Sequence, residues 1–152
     1  MNSAQLRRWS AALALPLALA VMPATAAPLK SPGDVKVALR LMMQVTNDFA
    51  RQINRKTFNR LPHENQEFHE ATDALRSAVA AEPAPFRAHV EHLLKTVIAQ
   101  AQSIADESAS APEPKLRTDH TTMLREVNDV FAQFPADLRP DPNVQPGGGP
   151  RT

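Results

Sequence analysis

"FRAHVEHLLKTVIAQAQSIADE", residues 86 to 107, decides the fold class. Phe86, Val90, Leu93, Val97, Ala101 and Ile104 recur at steps of three and four, which places them on one face of an α-helix. The preceding "EPAP" (82–85) ends one periodic segment and opens this one. Three further segments share the period. "SPGDVKVALRLMMQVTNDFARQINRK" (31–56) carries the stripe Val35, Leu39, Met42, Thr46, Phe49 and Ile53, with Ser31 as N-cap and Pro32 in the first turn. A second helix starts at Pro62 with Phe68, Ala71, Leu75 and Ala78, a stripe of small residues that predicts the least secure packing. After the flexible "SASAPEP" (108–114), the fourth stripe runs Leu116, His120, Met123, Val127, Val130 and Phe134. Alternating apolar runs bounded by hairpin turns are missing. The spacing therefore predicts an all-α, up-down-up-down antiparallel four-helix bundle over 31–134.

The ends read differently. "MNSAQLRRWS" is a short basic region, "AALALPLALAVM" an apolar run, and "ATA" (24–26) a small-x-small cleavage pattern. Residues 1–26 thus read as a cleavable signal peptide of the general secretory route, with Ala27 as the new terminus and the periplasm as destination. An anchor needs about 20 apolar residues, and Pro16 and Pro23 interrupt a shorter run. At the other end "PADLRPDPNVQPGGGPRT" (135–152) is rich in Pro and Gly, and it reads as a disordered tail.

Charge and composition exclude several functions. Losing Arg7 and Arg8 with the leader turns 17 basic against 16 acidic residues into 15 against 16. Nucleic acid needs a basic surface to displace counterions, and a polybasic membrane patch is missing too, so neither is an expected partner. The chain has no cysteine, which rules out disulfides, thiolate metal sites and covalent c-type haem. No nucleophile elbow, phosphate-cradling glycine loop or HExxH pair occurs, so an enzyme is not expected.

Candidate ligands remain. His120 falls on the core stripe of the fourth helix, where a histidine is either a hydrogen-bonded boundary residue or a haem or metal ligand. Pairing the first and fourth helices antiparallel sets it level with Thr46 and Phe49. Met42, Met43 and Met123 lie nearby, and thioethers are either core filler or ligands for haem iron. His89 and His92 are one turn apart and read as surface residues. His63 and Glu67, with Glu70 nearby, share part of the H-x-x-x-E pattern of hemerythrin-like bundles, whose other spacings are missing.

"MQVTNDF" (43–49), "FRAHVEHLL" (86–94) and "LREVNDVFAQF" (124–134) together resemble the periplasmic cytochrome b562 family over 34–134. The resemblance implies a bundle that holds haem b for electron transfer, with Met43 at the axial methionine. The family's arginine falls at Asn128 and its axial histidine at Ala132, so the second ligand is unmatched and haem binding is degenerate. Related cytochromes c′ need Cys-x-x-Cys-His near 124–128, where Leu-Arg-Glu-Val-Asn stands. Two functional classes stay open. One is a cytochrome relative holding haem b through Met43 with His120 or Met123. The other is a haemless periplasmic binding or envelope-stress interaction module with a protein partner.

Overall fold

Each α-helix carries a proline in its first turn. The computed structural model describes residues 28–141. In them α1 (Pro32–Arg55), α2 (Leu61–Ala78), α3 (Ala84–Glu107) and α4 (Glu113–Phe131) all carry proline at the first or second position. The first N–H groups of a helix have no intrahelical acceptor, so proline sacrifices nothing there and presets φ. No strand occurs among the described residues. Ser31 does occupy the N-cap position, but its hydroxyl makes no capping bond; its carbonyl accepts the Val35 N–H at 3.0 Å. At the other end of α1, Lys56 adopts a left-handed φ of 58°, and the Thr57 N–H returns to the Gln52 carbonyl at 2.9 Å. That reversal leads through a 3₁₀ turn (Phe58–Arg60) into α2.

The four helices form a bundle in which sequence neighbours pack together, α4 closes against α1, and the diagonal pairs stay apart. Side-chain rungs mark each seam. Gln52 donates to Glu64 at 2.8 Å between the end of α1 and the start of α2. Arg76 grips Glu91 between α2 and α3, at 2.8 Å from Nε. Lys115 pairs with Glu107 across the α3–α4 connection. Lys56 meets Glu113 at 3.2 Å where α1 ends and α4 begins.

All six stripe residues of α1 are buried, as are Phe68, Ala71, Leu75 and Ala78 of α2. In α3 the stripe shifts by one position: Leu94 is fully buried, while Leu93 is only partly so. From Val90 the 4-3-4-3 sequence Leu94, Val97, Ala101, Ile104 stays on one face, and Leu93 falls at its margin. Phe86, also at the margin, meets Phe134 edge to face at 5.7 Å. The small stripe of α2 is buried as fully as the larger one of α1. Its alanines let the backbones approach, and of the four seams α1–α2 is the one where they run together most closely.

The bundle also extends past Phe134, so the boundary of the expected disordered tail moves. Residues 136–138 form a 3₁₀ turn that tucks Leu138, 8% exposed, against α1. Arg139 donates to the carbonyls of Phe134 (2.7 Å) and Ala132 (3.1 Å). Those are carbonyls that the end of α4 leaves without helical partners. The expected leader and the tail from residue 142 lie outside the described residues. Among those described, no helix is long and apolar enough to cross a membrane.

Candidate functional site

The α1–α4 seam carries the residues singled out by sequence. His120 stands on the buried side of α4 between Leu116 and Met123. Its Nε2 donates to the main-chain carbonyl of Thr46 at 2.8 Å. A carbonyl can only accept, so Nε2 bears the hydrogen and Nδ1 of the neutral ring keeps its lone pair. The Thr46 hydroxyl turns back to the Met42 carbonyl at 2.7 Å, leaving its own carbonyl to receive the imidazole. Burial depresses the His120 pKa, and the Thr46 bond opposes this only in part. The ring also walls a cleft of about 320 Å³ whose floor is Ala50 and Ile53 and whose rim holds Asn54, Arg117 and Thr121. Arg117 is engaged there by Glu113 and Asn54.

Met123 is fully buried and Met43 is 7% exposed; both belong to the single core cluster with Phe49 and Met42. The His120–Thr46 contact fixes the register between the two helices. Met43 and Met123 each lie three residues from that rung, in the same axial direction, and so sit about 4.5 Å along it. The fold therefore brings Met43, Met123 and His120 within one helical turn, as packed core around a hydrogen-bonded ring. Ala132 is elsewhere. It is exposed, at the C-terminal end of α4, and twelve residues from His120 it lies about 13 Å from the level of Met43. So arranged, these donors do not fit a haem held axially between Met43 and position 132.

A second cluster joins α1 to α2. The carboxylates of Asp48, Glu64 and Glu67 come within 4.8 Å of one another. Glu64, only 5% exposed, accepts from Gln52, whose carbonyl oxygen in turn accepts from the Thr57 hydroxyl at 2.5 Å. Burial raises the Glu64 pKa, against the Gln52 bond, and the charges of Asp48 and Glu67 raise it further. Asp48 Oδ1 is shielded from solvent; it has Arg51 as ion-pair partner at 2.7 Å but no hydrogen bond. His63 lies 3.3 Å from Glu67. Three such carboxylates are the donor set for a hard cation, and a proton retained on Glu64 relieves the same repulsion. The sequence points to His63, Glu67 and Glu70 on α2, and not to Asp48 or Glu64. Extending the α2 stripe one turn back from Phe68 would have reached Glu64.

His89 and His92 are exposed, and His89 bonds Gln133 of the segment after α4 at 3.0 Å. Comparison with family models, with curated proteins and with solved structures yields no match to this chain.

Proposed function

We propose that this chain is a haem-free, up-down-up-down bundle of the periplasm that acts as a binding or interaction module. The observation that carries this reading is the packing of the α1–α4 seam. Met43 and Met123 belong to the core there and the His120 ring is a rung between the helices, so that these side chains fill the space in which a macrocycle would lie. The one strong iron donor on the core stripe has the nitrogen that faces α1 engaged by main chain. A b-type cytochrome is the second reading. It is favoured by Met43 and Met123, which fall at one level of the same seam. The absorption spectrum of the native protein, followed by haemin titration, separates the two. The expected result is no Soret band in the native protein and only weak haemin uptake, unchanged in His120→Gln. A native six-coordinate Met/His spectrum would overturn the haem-free reading.

A further inference from the structure

Val37 and Leu41 are the only large apolar side chains exposed among the described residues, at 56% and 40%. Isolated exposed hydrophobics are ordinary. These two are four residues apart on one face of α1, and both border the same seam. Two clefts, of about 360 and 240 Å³, lie along that seam between α1 and α2. Val37 and Leu41 stand on one side, and Ala71, Ala74 and Ala78 form the other. The alanines that let α2 approach α1 also leave a shallow trough over the junction. From Asp34 to Val45 the two clefts, end to end, cover twelve residues of α1, about 16 Å or three helical turns. Its charged lining residues are Asp34, Glu67 and Glu70, with no lysine or arginine among them. Asp34 and Glu70 have no partner among the described residues.

We infer that this groove docks one amphipathic helix of a partner protein, its apolar stripe on Val37 and Leu41 and its lysines or arginines on the acidic rim. The inference rests on the interaction-module reading and supplies the partner's chemistry. A three-turn trough with apolar walls is the receptor half of helix-in-groove recognition. The charges select the occupant. A second copy meeting it groove to groove would bring the same acidic lining against itself, and like charges face to face oppose association. Residues 142–152 contain a single large apolar side chain, Val144, and cannot supply a stripe.

The test is titration of the full processed chain, ¹⁵N-labelled, with a fourteen-residue (about four-turn) Leu/Lys peptide whose leucines follow helical spacing. A scrambled peptide of equal composition is the control. Amide shifts are expected at Val37, Leu41, Ala71 and Ala74, with the scrambled peptide inert and binding weakened by salt. Leu41→Glu adds negative charge, so pure electrostatic attraction would bind the peptide more tightly in that variant. Docking through the apolar wall predicts the opposite, a loss of about tenfold or more. Equal binding of both peptides, unchanged or tighter binding by Leu41→Glu, or shifts spread over all acidic surfaces would overturn the inference. So would concentration-dependent self-association abolished by Leu41→Glu, which would assign the groove to a second copy. The haemin titration is independent of these outcomes, so failure here leaves the haem-free reading to be judged by its own spectrum.

Discussion

The imidazole of His120 has two nitrogens, and the fold commits one of them to a main-chain carbonyl on the facing helix. Its position on the core stripe is legible in the sequence. Its partner is not, because a main-chain carbonyl leaves no mark in residue type. Titration follows from this placement. The folded pKa lies below the ordinary 6.5, so the folded protein takes up the proton less readily than the unfolded chain. His120 therefore contributes stability that is complete above about pH 6.5 and is lost as pH falls toward its folded value. Glu64 and Glu126 act in the opposite sense. Burial holds both above 4.5, so each contributes stability as pH falls through its raised value. Urea unfolding of the wild type should show a midpoint that declines below pH 6.5 and levels off as Glu64 and Glu126 take up protons. It should fall again at lower pH as Glu91, Glu107 and Glu113, held below 4.5 by Arg76, Lys115 and Arg117, lose their ion pairs. His120→Gln should flatten the first limb while costing about 1–3 kcal/mol at neutral pH. A limb that survives in that variant would assign the titration to another group.

At the scale of elements, period and proline punctuation announce all four helices, and the α1 stripe is legible residue for residue. What the period leaves open is which of two adjacent leucines faces inward, because a helix face wide enough to touch two neighbours has margins. Leu94 is in the core and Leu93 is at its edge. Leu94→Ala should then cost about 2–5 kcal/mol, the range for a buried leucine truncation, and Leu93→Ala less than half of the Leu94 loss. Equal losses would mean that α3 is rotated relative to the arrangement described. The segment after α4 misleads for a related reason. Its proline content hides two anchors, the apolar Leu138 and the carbonyl-binding Arg139. Ending the chain at Pro135 removes both and should cost about 1.5–3 kcal/mol for the leucine alone. Ending it at Asp141 should leave the thermal midpoint unchanged. Matching midpoints for the two truncations would show that Leu138 contributes nothing.

For the whole molecule the decisive quantity is the register between α1 and α4, which no single segment encodes. Sequence resemblance sets Ala132 opposite Met43. Three contacts place it elsewhere: Lys56 with Glu113, Asn54 with Arg117, and Thr46 with His120. Along these rungs α4 ascends as α1 descends, which brings Ala132 level with the start of α1, near Asp34. A histidine side chain extends only a few ångströms from its backbone, against an axial gap of about 13 Å. Position 132 is also solvent-exposed, and its carbonyl is held by Arg139. Ala132→His should therefore give no six-coordinate Met/His spectrum on haemin addition, and adding Met43→Ala should change nothing further. The double variant is needed because an exposed histidine can bind haemin at the surface, and that band would persist without Met43. If Ala132→His instead produced a low-spin spectrum that Met43→Ala abolished, the rungs would have to slide by more than two turns in solution. The family alignment would then take precedence over the register.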